Sequence, residues 1–361
     1  MSKSNISTTT WPIEPHTQAK HEILKRYLQA WYPILSKFNG RILYIDGFAG
    51  PGEYSNGELG SPIIAINEAI NHKIKLNAKI LFLFIEAKKD RCEHLENVIN
   101  KIDLPTNIKY EVICSKFDET LISIFDNLNE QEKHIAPTFA FIDPFGFSDT
   151  PFSVIERLLS YKKCEVLITF MSGFMNRFKG ESPKNKHFNA LFGTPDWQQV
   201  ITEDSDAGDI VTFYQNTLKS VANYVHSFEM INKFNQTIYH LIFCTNSIKG
   251  LKEMKRAMWK VDETGTFSFS DNTDPYQTVL FEHEPDYQHL KSLILNKFKG
   301  KMVSIKEIEN FVITKTPYRE THFKTQILKP MEYASPPETE ILSKKDRRKG
   351  TYPDGTNIRF L

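Results

Sequence analysis

Apolar and polar positions alternate along the chain in blocks that predict an α/β fold. Residues 20–38 have apolar side chains at helical spacing, and an apolar run at residues 41–46 follows the stop signal Asn39-Gly40. Similar runs, typical of strands buried on both faces, lie at residues 79–86, 109–114, 138–143 and 164–170. Helical patterns separate them at residues 61–71, 88–100, 118–128 and 151–161. The alternation predicts a doubly wound, mostly parallel (Rossmann-type) sheet.

After residue 170 this rhythm changes. Residues 171–207 form a long segment rich in Gly, Asn and Lys, and we interpret it as an insertion that covers a target through Asn176, Arg177 and Lys179. A helix at residues 208–222 and two strand patterns at 224–231 and 237–245 follow. The two strands predict a hairpin that completes a seven-stranded sheet with an antiparallel end.

Residues 286–361 have the pattern of a separate unit. Helices are expected at residues 287–298, 305–312 and 318–327, and the third should end near Lys329 because Pro330 follows. Extended runs at residues 339–343 and 356–361 flank a basic loop. Helices followed by such a hairpin predict a winged helix.

The charge is divided unevenly between these two parts. Residues 286–361 contain 15 Lys and Arg and 9 Asp and Glu, a net charge of +6, which leaves −5 of the total +1 for residues 1–285. The C-terminal unit is therefore the candidate for contact with nucleic acid. Five basic residues of the loop could neutralise phosphates, although a solvated hairpin tip explains them equally well: Lys344, Lys345, Arg347, Arg348 and Lys349.

The remaining composition narrows the class of protein. Residues 1–19 begin with a polar stretch that predicts a flexible tail, and no apolar run reaches the roughly 18 residues that a membrane span needs. We therefore expect a cytoplasmic protein. The four cysteines are far apart and lack the spacing of metal ligands, so we predict buried thiols and no metal site.

The strongest local signal is a glycine-rich turn directly after the first strand, with the sequence Asp46-Gly47-Phe48-Ala49-Gly50-Pro51-Gly52. Glycines there let the backbone approach a bound nucleotide at the carboxyl edge of the sheet. The spacing G-x-x-G-x-G differs from both the P-loop and the dinucleotide motif, which favours a nucleoside without pyrophosphate. A tight turn from strand to helix is an equally good explanation of the glycines alone.

Two acidic residues strengthen the nucleoside interpretation. Glu86 ends the second strand, where a carboxylate can accept hydrogen bonds from both hydroxyls of a ribose. Asp118 follows the third strand and could accept a hydrogen bond from an adenine amine, with Phe117 beside the ring. A solvated carboxylate for Glu86 and a helix N-cap for Asp118 are the alternatives.

The fourth strand is followed by Asp143-Pro144-Phe145-Gly146. Amino-group methyltransferases have Asp or Asn, two prolines and an aromatic residue at this place. Asp143 would supply the oxygen that holds the target amine, Pro144 the rigid turn and Phe145 the stacking ring. The aromatic residue stands one position early.

These segments together resemble the three-Cys-motif partner protein family over nearly the whole chain. The resemblance is carried by His16-Thr17, Lys20-His21, residues 44–52, Gly60-Ser61-Pro62, residues 141–146 and residues 255–259, and it extends to residues 316–318 and 347–350. It implies a genomic neighbour whose Cys cluster is similar to that of radical S-adenosylmethionine proteins, which makes such a protein a possible partner.

A more distant resemblance is to the adenine N6-methyltransferases of large-subunit ribosomal RNA. They share the Lys-His pair, the Asp-x-x-Ala-Gly-x-Gly turn and a later Gly-Ser-Pro. The resemblance implies that Lys20 and His21 hold the carboxylate of the cofactor and that Ser61 lies near it. Those enzymes have Asp-Pro-Pro-Tyr where this chain has Asp-Pro-Phe-Gly.

We therefore expect a methyltransferase-like domain at residues 20–285 that binds S-adenosylmethionine, joined to a winged helix at 286–361. The expected activity is methyl transfer to nucleic acid, with Asp143 orienting the acceptor amine. The alternative is a non-catalytic subunit that keeps the nucleoside pocket and works with the Cys-motif partner. An NAD-dependent dehydrogenase fits less well, because the glycine spacing leaves no room for a pyrophosphate.

Overall fold

The computed structural model describes residues 8–146, 149–178, 184–202, 204–262, 268–271, 285–343 and 346–361. Contacts divide these residues into two units. The first comprises residues up to 253 with 268–271, and the second comprises 254–262 with the residues from 285 onward. Residues 254–262, predicted to belong to the first domain, thus group with the second unit.

The first unit is built on a large sheet of eight strands, one more than predicted. Its strands are β1 Arg41–Asp46, β2 Lys79–Glu86, β3 Ile108–Cys114, β4 Thr138–Ile142, β5 Cys164–Phe170, β6 Tyr224–Ile231, β7 Thr237–Thr245 and β8 Ser268–Ser270. They lie in the order β3-β2-β1-β4-β5-β7-β6-β8. The first five in this order are parallel, and β7 runs antiparallel to both β5 and β6, as the hairpin pattern predicted. The additional strand β8 pairs with β6 and has only three residues, too few to produce a recognisable pattern.

Helices alternate with these strands and confirm the α/β fold. They are α1 Pro15–Ser36, α2 Ser61–Ile70, α3 Lys89–Ile99, α4 Phe117–Glu130, α5 Phe152–Ser160, α6 Ser172–Phe178, α7 Asn185–Phe192, α8 Trp197–Val200, α9 Ala207–Leu218 and α10 Ile248–Met258. Helix α1 begins five residues before the predicted domain boundary at residue 20, with Pro15 in its first turn. Residues 15–19, which were predicted to belong to a flexible tail, are therefore part of helix α1.

Successive side chains of the strands point to opposite faces of the sheet and are buried on both. Ile45, Ile85 and Ile142 pack on one face with apolar residues of α4, α5, α7 and α9. The aromatic rings of Tyr44 and Phe139 lie on the other face, where Trp31 of α1 packs against Phe139. Burial on both faces explains why the strands are continuous apolar runs.

The predicted insertion at 171–207 contains helices α6, α7 and α8 among its described residues. Phe188, Phe192 and Trp197 are buried and contact one another's rings, so this part of the segment adds to the core and is not an open loop. Lys179 lies outside the described residues. Helix α6 follows the carboxyl end of β5 and contains Asn176 and Arg177.

The second unit contains α11 Tyr287–Phe298, β9 Met302–Ser304, α12 Ile305–Lys315, a π-type helical segment Phe323–Leu328, α13 Lys329–Tyr333, β10 Thr339–Ser343 and β11 Thr356–Phe360. The strands form an antiparallel sheet in the order β10-β11-β9. The third helix does not end at Lys329 as predicted. Pro330 lies in the first turn of α13, where its missing N–H costs no hydrogen bond, and the helix continues to Tyr333.

Residues 254–262 belong to this unit because buried polar groups hold them there. The ammonium group of Lys255 donates hydrogen bonds to the carbonyl oxygens of Val312, Ile313 and Thr316 at the end of α12. The indole of Trp259 donates to the carbonyl oxygen of Pro317 at 2.9 Å. Carbonyl oxygens at a helix end need such donors, which gives Lys255 a structural role.

No helix in the described part of the chain has the length and apolar character that crossing a bilayer requires.

Candidate functional site

The loops after β1, β2, β3 and β4 lie at one edge of the sheet, because the carboxyl ends of parallel strands share an edge. Backbone hydrogen bonds tie these loops together: the N–H of Gly47 donates to the carbonyl of Phe141, and that of Ala49 donates to the carbonyl of Ile85. The glycine turn therefore spans the ends of three strands. Ligands of open α/β sheets bind at this edge.

The glycine turn and Glu86 form one structural element. The backbone N–H of Gly50 donates to Oε2 of Glu86 at 3.0 Å, and the N–H of Lys88 donates to Oε1 at 2.8 Å. Gly50 and Gly52 have φ angles of +63° and +87°, which favour glycine. Each oxygen of the buried Glu86 carboxylate thus has a backbone donor and retains a further lone pair.

Phe117 and Asp118 stand beside this turn. A Cβ atom at Gly47 would lie 2.6 Å from the Phe117 ring, so only glycine fits there, and the rings of Phe48 and Phe117 are 5.4 Å apart. The helix N-cap is Lys116, and Asp118 is the second residue of α4, so the N-cap alternative for Asp118 is wrong. Its Oδ1 is buried without a hydrogen-bond partner among the described residues. A free buried acceptor is suited to a ligand N–H.

Asp46 is fully buried at the end of β1. Burial raises the pKa of its carboxyl to about 7, although a hydrogen bond with Ser61 and the N–H of Phe48, which donates to Oδ1 at 3.3 Å, act in the opposite direction. The negative charge of Asp143 adds to the increase. Ser61 begins α2, and its contact with Asp46 brings two predicted site residues together.

Lys20 and Asp143 form an ion pair in which Nζ of Lys20 donates to Oδ2 of Asp143 at 2.5 Å. From the sequence, Lys20 is expected to contact the cofactor and Asp143 the acceptor. Asp143 Oδ1 makes no hydrogen bond with the described part of the chain, and a quarter of the Asp143 side chain is exposed. One oxygen is thus held by Lys20 while the other remains available.

His21 is buried next to Lys20. Burial and the charge of Lys20 lower the pKa of its imidazole to about 3, so the ring is neutral near pH 7. His21 would therefore hold the carboxylate of the cofactor through a hydrogen bond and not through a positive charge. A neutral imidazole can still donate one hydrogen bond.

An aromatic cluster that the sequence analysis did not identify surrounds Phe145. Trp11 makes edge contacts with Phe145 and Tyr54, at centroid distances of 5.7 and 5.8 Å, and the guanidinium of Arg91 lies over the Trp11 ring. Pro144 is buried between Asp143 and Phe145, whose side chain is 67% exposed. Trp11 was missed because it lies in residues 1–19, which the sequence predicted to be a flexible tail.

The basic hairpin loop follows β10 in the second unit. Lys344 and Lys345 lie outside the described residues, and Arg348 and Lys349 are exposed. Arg347 is instead paired with the buried carboxylate of Glu332 and donates to the carbonyl of Thr351 at 3.1 Å. Its side chain is only 15% exposed, so the structure removes Arg347 from the set of free phosphate-binding residues.

The cysteines differ in part from the expectation of buried thiols. Cys92, Cys164 and Cys244 are buried, whereas Cys114, the last residue of β3, is exposed. Cys92 donates a hydrogen bond to the carbonyl oxygen of Glu86 at 3.1 Å. Within the described ranges, His, Cys, Asp and Glu side chains do not gather in groups of three or more that could hold a metal ion.

A cavity of about 360 Å³ lies at the opposite edge of the sheet, near Glu165 and Thr245. The carboxylate of Glu165 accepts hydrogen bonds from the hydroxyls of Tyr27 and Thr245, both at 2.6 Å, which satisfies its oxygens internally. The unsatisfied acceptors of the chain's predicted motifs lie at the other edge, so we place the candidate site there.

No family model matches the chain, and no curated protein matches its sequence. Solved structures are similar to it. Trm1 from Pyrococcus horikoshii, solved with S-adenosyl-L-methionine, is 12% identical over 99% of this chain and 93% of that chain, with a TM-score of 0.37. An O-methyltransferase from Bacillus cereus in complex with SAH is 13% identical over 65% of this chain and 82% of that chain, with a TM-score of 0.37. A Legionella pneumophila protein is 12% identical over 63% of this chain and 85% of that chain, with a TM-score of 0.39. At these low identities and TM-scores no activity is carried over to this chain.

Proposed function

We propose that this protein is an S-adenosylmethionine-dependent methyltransferase that acts on nucleic acid. The observation that carries the proposal is the pair of acceptors at the ends of neighbouring strands. Glu86 presents two oxygens that backbone N–H groups hold in place, as a vicinal diol requires. Asp118 presents a buried oxygen without a partner in the described part of the chain, as an adenine amine requires.

These residues fit the adenosine part of the cofactor better than they fit a dinucleotide. A pyrophosphate is bound at a helix N-terminus that directly follows the glycine turn. Here α2 begins only at Ser61, well after Gly52. Glu86 would hold the ribose, Asp118 the adenine amine, and the turn from Gly47 to Gly52 would lie against the nucleoside. When bound, the cofactor supplies an electrophilic methyl group on a sulfonium.

Asp143 is the residue that would orient the acceptor. Its Oδ1, which has no partner among the described residues, can accept a hydrogen bond from an amine N–H and so direct the nitrogen lone pair, while Lys20 holds Oδ2 in place. In the transfer the nitrogen forms a bond to the methyl carbon as the bond from that carbon to sulfur breaks. The surplus proton of the nitrogen then leaves to water.

Nucleic acid as the acceptor is supported by the second unit. The net charge of +6 over residues 286–361, the exposed Arg348 and Lys349, and the order of helix, strand, two helices and hairpin favour the winged-helix interpretation. The resemblance to the three-Cys-motif partner family adds a Cys-motif protein as a possible partner.

The ion pair of Lys20 with Asp143 favours a second candidate function. A lysine that occupies Asp143 would leave a nucleoside-binding protein without turnover, acting as a recognition subunit of the Cys-motif partner. The sequence Asp-Pro-Phe-Gly in place of Asp-Pro-Pro-Tyr agrees with this candidate. Mass spectrometry of total nucleic acid with and without the gene separates the two, because only the enzyme leaves a modified nucleoside.

Calorimetry with S-adenosylmethionine, S-adenosylhomocysteine and NAD tests the cofactor. Asp118→Ala should weaken both adenosyl ligands about tenfold, since it removes a hydrogen-bond acceptor, and Asp118→Asn should retain part of the affinity through its amide oxygen. The matched control is Asp103→Asn at an exposed position, which should leave both affinities unchanged. Binding of NAD without binding of either adenosyl ligand would contradict the proposal.

A further inference from the structure

Arg91 is a buried cation in the first unit that none of the roles above uses. It is the third residue of α3, five positions after Glu86, and only 3% of its surface is exposed. Its guanidinium carbon lies 4.6 Å from the centroid of the Trp11 ring and 5.6 Å from that of Phe145. The two rings also contact each other.

Within the described part of the chain, Arg91 has no ion pair and its side chain donates no hydrogen bond. Its Nε is fully shielded from solvent and has no acceptor. Rings stabilise a cation through their faces, but they do not satisfy the five N–H donors of a guanidinium. A nearly buried cation without an anion among the described residues is unfavourable, and a ligand with anionic oxygens would satisfy its donors.

A second arginine shows what a completed site of this kind contains. Arg157 also lies over an aromatic ring, that of Phe125 at 5.0 Å, but its Nη1 donates to Oδ1 of Asp126 at 2.7 Å. Arg157 thus has a carboxylate partner within the protein, whereas Arg91 has none among the described residues. This difference makes Arg91 a candidate site for an anionic ligand.

We propose that Arg91, with Trp11 and Phe145, binds a phosphate of the acceptor nucleotide. Phe145 is two residues after Asp143, and its exposed ring offers a face on which a base can stack. A base on Phe145 places its own backbone phosphates within the reach of an arginine that contacts the same ring. This inference rests on the proposed function, because it takes the acceptor to be a nucleotide next to Asp143.

The same guanidinium could bind a carboxylate, including that of the cofactor, so the experiment measures both ligands. The full chain is titrated into fluorescein-labelled single-stranded RNA and DNA of mixed sequence over a range of salt, and into S-adenosylmethionine by calorimetry. The variants are Arg91→Gln and Arg91→Lys, with Arg157→Gln as the matched control. Thermal unfolding of each variant without ligand shows whether it folds.

Arg91→Gln should weaken oligonucleotide binding about tenfold or more, because it removes charge-assisted hydrogen bonds. The slope of log affinity against log salt should decrease by about 0.7 for one phosphate of a single strand. Arg91→Lys should retain the slope and lose part of the affinity, since it keeps the charge without the fork of donors. S-adenosylmethionine binding should change less than twofold, and the unfolding temperature should not fall, because an unpaired buried charge is removed.

Three outcomes overturn the inference. A loss of S-adenosylmethionine affinity with unchanged oligonucleotide binding assigns the anion to the cofactor. Unchanged binding of both ligands, with a lower unfolding temperature, assigns Arg91 to packing. Failure of the wild-type chain to bind either oligonucleotide, while it binds S-adenosylmethionine, rejects the nucleotide acceptor but retains the assignment of the cofactor.

A fourth outcome separates this inference from the proposed function. Failure to bind S-adenosylmethionine, with oligonucleotide binding that still depends on Arg91, rejects the methyltransferase and supports the phosphate site.

Discussion

The backbone N–H of Gly50 donates a hydrogen bond to Oε2 of Glu86 at 3.0 Å. This bond joins the turn after β1 to the end of β2, so the glycines and the carboxylate are positioned together. The turn can take this path because Gly50 has a φ angle of +63°, which other residues adopt only at a cost in strain. The hydrogen bond and the glycine conformation together fix the turn against Glu86.

Glu86→Gln should weaken the binding of S-adenosylmethionine by about 1.5 to 3 kcal/mol, because the ribose hydroxyls lose a charged acceptor. In the variant an NH₂ group replaces one of the two oxygens, so the backbone N–H of either Gly50 or Lys88 loses its acceptor. Calorimetry measures the change. Glu111→Gln, an exposed position on the neighbouring strand β3, is the matched control and should leave affinity unchanged. Equal affinity of the Glu86 variant and the wild type would remove the ribose assignment.

Asp143→Ala should lower methyl transfer by about a hundredfold or more while the dissociation constant of the cofactor changes little, since the carboxylate orients only the acceptor. Lys20→Met should reduce the rate less, because the Asp143 side chain remains but loses the group that fixes its position. Single-turnover kinetics with radiolabelled cofactor separates the rate from binding. Full activity of the alanine variant would assign the orientation of the amine to another residue.

Much of the fold was predictable because a strand buried on both faces leaves an unmistakable apolar run. The runs at residues 41–46 and 79–86 coincide with β1 and β2, and the antiparallel end of the sheet followed from two strands joined by a short loop. Strand β8, which pairs with β6, was missed because its three residues are too few to form a recognisable pattern. Residues 15–19 were taken for part of a tail because they show no apolar pattern: His16 is buried through its contact with Asp271, and Ala19 is the one buried apolar residue among them.

The site divides in the same way. Glycine-rich turns and carboxylates at strand ends can be recognised from the local sequence. In the structure the N–H of Gly50 donates a hydrogen bond to Glu86. Arg91 and Trp11 were not identified, because their significance lies in a contact across 80 positions of sequence and because no described carboxylate pairs with Arg91. The roles of Lys20 and Arg347 also depended on partners, Asp143 and Glu332, that no spacing in the sequence indicates.

Asp46→Asn should change how the stability of the first unit depends on pH. Burial raises the pKa of Asp46 to about 7, above the value of about 3.9 in an unfolded chain, so the folded state binds an extra proton between these values. The stabilisation is fully present below the unfolded pKa and is lost as the pH rises through 7. The asparagine variant stays neutral. Its free energy of unfolding should therefore rise relative to that of the wild type by about 1 to 3 kcal/mol between pH 5.5 and pH 8.5. Urea unfolding at the two pH values measures this difference, and parallel curves would contradict it.

Glu332→Gln should destabilise the second unit by about 2 to 4 kcal/mol, because it breaks a buried ion pair and leaves Arg347 without its anion. Glu332 also accepts hydrogen bonds from the Tyr352 hydroxyl at 2.9 Å and the Gly350 N–H at 3.0 Å. The matched control is Glu340→Gln, whose partner Arg359 is about half exposed, and it should cost less than about 1 kcal/mol. Urea unfolding at pH 7 measures both, and equal losses would show that burial of the pair is unimportant.

Burial acts to raise the pKa of Glu332, but hydrogen bonds from Arg347, Tyr352 and Gly350 outweigh it, so the pKa is lowered. A carboxyl with a lowered folded pKa contributes stability that is present above the unfolded pKa and lost as the pH falls through the folded value. The difference between the wild type and Glu332→Gln should therefore shrink in acid. A difference that persists at pH 3 would show that the charge of Glu332 is not its source.

Arg348→Gln together with Lys349→Gln should weaken nucleic-acid binding for every sequence alike, because contacts with phosphates position a protein without reading bases. Both side chains are exposed, and Lys349 lies over the ring of Tyr333 at 4.5 Å, which directs it away from the core. If each contacts one phosphate of a duplex, the slope of log affinity against log salt should become shallower by about 1.8. Titration of a labelled duplex between low and moderate salt measures the slope.

Lys291→Gln is the control for this pair, since it removes a charge of the same unit that is already paired with Glu338 at 2.6 Å. Its effect on the slope should be small, because its charge is already neutralised locally. The unfolding temperature of the double variant should stay close to that of the wild type, in contrast to Glu332→Gln, since both side chains are exposed and neither belongs to a buried ion pair among the described residues. If the double variant and the control have equal salt slopes, the hairpin is not a phosphate-binding surface, and contact with a protein partner becomes the better explanation of its charge.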